Sequence, residues 1–266
     1  MRKPVLKFFL LAFLLLISFG SKAQYSANGN ASCNGDCCEL TQDSPGQAGS
    51  IFSTGPVDLS QPFSLAVTLN FGCKDGTGAD GIVFIFASSA GVLGTGGGGI
   101  GYEGIPNSIG IEMDDYQNGG FGDPPGDHMG IQSNGSMNHN LAGPIGLPNI
   151  EDCAAHCFSV NWTPGTQTLT ATLDAATITY TGDITAFVGG STAYYGFSSG
   201  TGSLSNPHTV CFAGPQVTPM QDVTICPGQN TTLHILAVAI QPHAQCHQHF
   251  QSSGNAQYHH HLLRDH

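Results

Sequence analysis

Apolar and polar residues alternate along much of the chain with a period of two. The clearest run is Phe63-Ser-Leu-Ala-Val-Thr-Leu-Asn-Phe71. That period sends successive side chains to opposite faces of a strand, one face apolar and one polar. Gly81-Ile-Val-Phe-Ile-Phe86 is instead continuously apolar, the pattern of a strand covered on both faces. Further strands are predicted at Ser108–Met113, Phe158–Trp162, Thr168–Leu173, Thr177–Tyr180 and Ala193–Phe197. Thr163-Pro-Gly165 and Asp174-Ala-Ala176 punctuate the later ones as hairpin turns. No segment holds a helical period for three turns. Many short strands with turn signals between them predict an all-β domain from 24 to 213, a sandwich of two antiparallel sheets.

The two ends of the chain depart from this pattern. Arg2, Lys3 and Lys7 precede a 12-residue apolar run, Phe8–Phe19, and Ser21-Lys22-Ala23 follows it. Basic start, apolar middle and small residues at the cleavage spacing predict a secretory signal over 1–23. Twelve helical residues reach only about 18 Å, short of a ~30 Å bilayer core, so no membrane span is expected there or later. A boundary falls near Gly214-Pro215. Residues 214–236 look like the opening strands of a second, incomplete β module. From 237 to 266 the composition changes abruptly, and eight of the twelve histidines lie between His234 and His266. Repeated ACC threonine codons read out of frame give CAC, histidine, so a shifted frame explains this tail better than an expression tag. No function is assigned to it.

Charge narrows the partners. The chain has 6 basic and 18 acidic residues, and beyond residue 22 only Lys74 and Arg264 remain basic. Such a surface cannot neutralise phosphates, which excludes nucleic acid and anionic membrane as ligands. The nine cysteines lack the paired C-x2-C spacing of structural zinc sites, so disulfides in an oxidising, extracellular setting are expected.

Two motifs are decoys. Gly94–Gly99 formally matches G-x-G-x-x-G, and Gly196–Gly200 matches G-x-S-x-G. Both motifs need a helix directly afterwards. Ile-Gly-Tyr-Glu-Gly-Ile-Pro106 and Thr-Gly-Ser-Leu-Ser-Asn-Pro207 follow instead, so both are Gly-rich loops at sheet ends. The informative stretch is Ile111-Glu-Met-Asp-Asp-Tyr-Gln-Asn-Gly-Gly-Phe-Gly-Asp-Pro-Pro-Gly-Asp-His-Met-Gly-Ile131. Glu112 and Asp114 share one face of a strand. Asn118, Asp123 and His128 follow from a loop able to fold back. Oxygen-rich donors suit Ca²⁺, and the added imidazole suits a transition ion such as Mn²⁺ or Zn²⁺.

The pattern E-x-D-x-Y-x-N, then D-P, then H-x-G-I resembles the metal-binding segment of legume-type (L-type, concanavalin-like) lectins. Three more blocks agree in order: Ala79-Asp80-Gly81, Gly96–Tyr102 and Gly196–Gly202. The likeness covers residues 28 to 213. It implies a concanavalin-like jelly-roll β-sandwich. It also implies that Glu112, Asp114, Asp123 and His128 hold the transition ion, with Ca²⁺ on Asp114, Asn118, Asp123 and the Tyr116 carbonyl. Asp80, after a cis peptide, would accept hydrogen bonds from sugar hydroxyls. Gly98 would donate its backbone N–H, Asn118 its side-chain N–H, and Tyr116 would stack on the sugar. Ser203 to Asn206 would tune specificity.

The extra cysteines and the modular layout resemble secreted bacterial relatives joined to immunoglobulin-like surface modules. The partners expected are glycans or glycoconjugates, with a homo-oligomer left open, and the setting is secretion or the cell surface, in adhesion or glycan capture. Two alternatives stand beside this non-enzymatic reading. One is a structural adhesin domain that binds no sugar. The other is a laminarinase-type glycoside hydrolase, which shares the sandwich but needs a second glutamate on the strand. Positions 116 and 117 are Tyr and Gln.

Overall fold

The computed structural model describes residues 25–212. The segments read as export signal (1–23), incomplete module (214–236) and His-rich tail (237–266) lie outside the described residues. In chain order the strands are β1 (Tyr25–Gly29), β2 (Ser32–Asn34), β3 (Cys37–Thr41), β4 (Ala48–Ser53), β5 (Val57–Asp58), β6 (Phe63–Asn70), β7 (Gly81–Ala87) and β8 (Ser108–Asp114). They continue with β9 (His128–Ser133), β10 (Ala142–Gly146), β11 (His156–Thr163), β12 (Thr168–Leu173), β13 (Ala176–Thr181), β14 (Thr192–Gly200) and β15 (His208–Cys211). Among the described residues, helix is confined to a 3₁₀ turn at Gly97–Gly99 and one turn at Thr185–Val188.

The strands form two antiparallel sheets. The front sheet runs β1-β4-β14-β7-β8-β9-β10, with β5 also on β14, and the back sheet runs β13-β12-β11-β6-β15-β3-β2. The two antiparallel sheets are those the alternating pattern predicts, and neighbours far apart in sequence, such as β14 beside β7, give the jelly-roll weave that the resemblance implies.

Alternation decides what meets in the core. Ile82, Phe84 and Phe86 of β7 and Ile109, Ile111 and Met113 of β8 point between the sheets, against Leu65, Val67, Leu69, Phe158, Val160 and Trp162. Each such side chain contributes roughly 1.5–3 kcal/mol on burial. The Trp162 indole N–H donates to the Leu59 carbonyl at 2.7 Å, so the one large polar group here is satisfied.

β7 is apolar on both faces for a visible reason. Val83, Ile85 and Ala87 lie in a second cluster with Phe52, Ile100, Tyr102, Ile105 and Met137. The segment between β7 and β8 folds back over the front sheet and covers it. Tyr102 lies across Gly110 of β8, where an added Cβ would fall 2.7 Å from the ring.

Three disulfides are described: Cys33–Cys38, Cys37–Cys211 and Cys73–Cys153. The first joins β2 to β3, and the second joins β3 to β15 at directly paired positions. The third ties the loop after β6 to the loop before β11.

Candidate functional site

With residues 109, 111 and 113 turned into the core, Gly110, Glu112 and Asp114 must face outward from β8. On β9, Met129 and Ile131 point inward, so His128, Gly130 and Gln132 face outward beside them. The register sets Glu112 opposite Gly130 and Asp114 opposite His128. Glu112, Asp123, His128 and His139 form one buried group whose donor atoms all lie within 4.8 Å of one another. The His128 Nε2 atom is 3.6 Å from both Glu112 Oε1 and Asp123 Oδ1. His139 Nε2 touches Glu112 Oε1 and lies 3.8 Å from Asp123 Oδ1. Glu112 Oε1, His128 Nε2 and His139 Nε2 face one another, and none has a well-formed hydrogen bond to any other group. Three unsatisfied buried donor atoms facing one point fit a metal ion, because burial without a partner is otherwise costly. The other Glu112 oxygen accepts from the Gln132 amide at 2.5 Å.

The loop from 115 to 127 is organised around two carboxylates. Asp114 Oδ1 accepts the Tyr116 N–H at 2.7 Å, and Asp123 Oδ2 accepts the Asn118 N–H at 2.6 Å. Asp123 therefore serves both halves of the site, one oxygen toward the histidines and one toward Asn118. Asp114 is not among the four grouped donors. It lies opposite His128 on the strand pair and holds the Tyr116 N–H, while the Asn118 Oδ1 atom, farther along the same loop, is buried and unpartnered. Oxygen donors of this kind fit Ca²⁺.

Electrostatics agree with a site built for cations. Burial and the neighbouring Glu112 charge hold the Asp114 carboxyl well above the usual range. Burial also opposes ionisation of Glu112, but His128 and His139 outweigh it and hold that carboxyl below its usual value. Burial disfavours the His128 cation, yet Asp123 and Glu112 push its pKa up to about 10. Without an ion the histidine proton compensates the carboxylates; a bound ion would take its place.

Next to this group is a shallow open cleft of ≈ 150 Å³. Ala79, Asp80, Gly98, Tyr116, Asn118, Gly202, Ser203 and Leu204 line it. The structure thus brings all four sequence-predicted sugar residues, Asp80, Gly98, Tyr116 and Asn118, to one place. The Ala79–Asp80 peptide is cis, as the resemblance implies. Asp80 is only 3% exposed and its Oδ2 is unpartnered. Burial, with Asp115 nearby, raises its pKa to about 7. Gly98 presses against Asn118, and a Cβ there would fall 2.3 Å from Asn118 Oδ1. Tyr116, 39% exposed, is the one exposed large hydrophobic side chain among the described residues, a free ring face at the rim.

Behind Asp80 runs a buried polar chain that the motif does not announce. Asp115 Oδ2 meets His208 Nε2 at 3.1 Å. His208 Nδ1 meets Thr41 Oγ1 at 2.8 Å, Thr41 meets Ser199 at 3.1 Å, and Ser199 Oγ donates to the Gly81 carbonyl at 2.7 Å. The Asp115 N–H also donates to the Asp80 carbonyl at 3.4 Å. The sequence places Asp115 on the opposite strand face from Glu112. The structure gives it this separate partner.

Two sheets in a jelly roll, with a shallow polar cleft on the loops at one end, define the concanavalin-like sandwich class. The legume lectin beta-barrel domain, an L-type lectin domain, matches residues 19–214, and the chain belongs to that family. Membership implies carbohydrate binding and gives no sign of an enzyme.

Solved structures share the fold. Basic winged bean lectin with Tn-antigen superposes with a TM-score of 0.63 at 19% identity, covering 72% of this chain and 91% of that one. Peanut lectin gives 0.61 at 23% identity, covering 72% and 90%. Metal-free lectin I-B4 from Griffonia simplicifolia gives 0.62 at 18%, covering 74% and 93%. A shorter likeness, 38% identical over 97 residues, is to the pesticidal crystal protein Cry22Aa of Bacillus thuringiensis, spanning 35% of this chain and 13% of that protein.

Proposed function

We propose that the protein is an exported, metal-dependent lectin that captures glycans, in adhesion or glycan uptake at a cell surface. The observation that carries this is the convergence of Asp80, Gly98, Tyr116 and Asn118 on one cleft, directly beside the buried carboxylate–imidazole group. Asp80 accepts sugar hydroxyl protons, Asn118 and the Gly98 backbone donate, and the Tyr116 ring covers an apolar sugar face. Ca²⁺ on Asp114, Asn118, Asp123 and the Tyr116 carbonyl would fix the loop that carries Tyr116 and Asn118. A transition ion on Glu112, Asp123 and His128, with Asp114 at the border between the two, would anchor that loop to β8 and β9. Such open, wet sites bind single sugars weakly and gain strength through multivalency, which a homo-oligomer or a clustered surface display supplies.

Three disulfides and the basic and apolar first 23 residues support export. A hydrolase reading gains nothing: among the described residues no glutamate lines the cleft, and Glu112 is engaged by Gln132 and His139. A glycan array with Ca²⁺ and Mn²⁺, repeated in EDTA, tests the proposal. Binding that disappears in EDTA is expected. Binding in neither condition would replace it with a structural adhesin domain.

A further inference from the structure

The run from Glu112 to His128 does not make up the whole buried carboxylate–imidazole group, because His139 enters it from outside that run. His139 lies in the loop between β9 and β10 and is 7% exposed. Its ring packs edge-on to His128, with centroids 5.2 Å apart and planes at 74°. It occupies the space over Gly130, where an added Cβ would fall 2.2 Å from its Cδ2 atom. Gly130 is the residue paired with Glu112, so the missing side chain opens a path straight to the carboxylate.

The loop is held for this task by contacts that need no ion. The Ser133 N–H donates to Asn140 Oδ1 at 2.9 Å, and Asn140 Nδ2 donates to Ser133 Oγ at 3.2 Å. The Leu141 N–H donates to the Ile131 carbonyl at 3.0 Å, and Met137 is anchored in the second apolar cluster. His139 itself has a φ of 49°, a left-handed backbone that a non-glycine residue adopts rarely. It is pinned on both sides with its Nε2 aimed at the group and in contact with Glu112 Oε1.

We propose that His139 is an inner-sphere ligand, making a two-carboxylate, two-imidazole centre that prefers Zn²⁺ or Co²⁺ over Mn²⁺. The inference rests on the metal half of the function above and not on sugar binding. Ligand bonds of about 2.0–2.2 Å at tetrahedral angles set neighbouring donor atoms roughly 3.3–3.6 Å apart. The His128 separations of 3.6 and 3.6 Å and the His139–Asp123 separation of 3.8 Å are close to that, whereas His139 Nε2 lies closer to Glu112 Oε1, in direct contact, a pair that an ion would part. Mn²⁺ favours oxygen and water, whereas imidazole suits zinc and its neighbours, which also stand higher in intrinsic affinity. A second imidazole in place of water or oxygen therefore moves selectivity in one direction.

The test titrates the ¹⁵N-labelled full chain with Zn²⁺ and follows the histidine side-chain nitrogens residue by residue. The histidines after His234 titrate as separate signals. The expected result is that His128 and His139 Nε2 both take on metal-bound shifts within the first equivalent at this site. A shift of His128 alone would leave a metal centre but overturn the role of His139. A shift of neither would overturn the metal reading as well, and glycan binding measured apart would then stand or fall independently. The variant His139→Ala gives a second reading by competition with a chromophoric chelator. Zn²⁺ affinity should fall by at least about 10–100-fold, the cost of losing even an outer-shell partner, with Mn²⁺ affinity changed far less. An unaltered Zn²⁺:Mn²⁺ preference in a folded variant would sink the proposal. Should the variant not fold, the spectrum of the unmodified chain decides.

Discussion

Asp80 carries the cost of the cleft most visibly. Its carboxyl is buried, one oxygen has no partner, and its pKa is raised to about 7. In the unfolded chain the same group ionises near 3.8. Between those values the unfolded chain loses the proton first, so on this group's account stability falls as pH rises and stays low above 7. Asp80→Asn should therefore raise the melting temperature of the ion-free protein at pH 8, by about 2–4 °C for each 1 kcal/mol relieved. The gain should vanish at pH 4, where Asp80 is already protonated. The same variant should lose glycan binding by at least about tenfold, since a hydrogen bond to a charged acceptor is worth ~1.5–3 kcal/mol. Thermal melts at the two pH values and a glycan titration check both halves. At this scale the sequence was informative wherever the chemistry is contiguous. Glu112, Asp114, Tyr116, Asn118, Asp123 and His128 fall within 17 residues, close enough to be read as one unit. His139 was not legible, because its approach depends on the empty position at Gly130 across a loop. Nor was the partnership of Asp115 with His208, which are 93 residues apart.

Among the elements, strands with a strong two-residue period were legible to within a few residues. Predicted Phe63–Phe71 is β6 and Gly81–Phe86 is β7, and the runs near 108, 158, 168, 177 and 193 became β8, β11, β12, β13 and β14. β1, β2 and β5 gave no signal because they are short and mostly solvent-facing. β10 has a proline and sits at a sheet edge, where pattern is weak. The continuous apolar face of β7 correctly implied a cover but not its identity, the segment that folds back through Tyr102. That cover also carries Gly98. Gly110→Ala would push a methyl group to within 2.7–3.0 Å of three Tyr102 ring atoms. The ring is fully buried and has nowhere to go, so overpacking should cost about 1–3 kcal/mol. The cover should lift and glycan affinity should drop, while ion uptake on β8 and β9 persists. Urea unfolding and paired glycan and metal titrations test this; unchanged glycan affinity would mean the cover does not position Gly98.

For the whole molecule, the two sheets share one core, and the three disulfides tie β2 to β3, β3 to β15 and the loop after β6 to the loop before β11. Replacing Cys37 and Cys211 together by serine opens a closed stretch of 174 residues and should lower stability by about 2–5 kcal/mol. Denaturant unfolding of the variant against the parent reads this directly, and an unchanged midpoint would mean that the back sheet holds β15 without the bond.

The same bond has a mechanical consequence. Cys211 is one residue from Phe212, and its partner Cys37 is near the first strand. Tension applied between Tyr25 and Phe212 runs along the first few strands and then crosses directly at sulfur. Everything from β4 to β14, including the cleft and the buried carboxylate–imidazole group, lies on a slack loop outside the line of force. Extension should stop after about 50 Å, against roughly 650 Å once the bonds are reduced. A grip on a glycan held in that loop would thus be insulated from a pull along the chain.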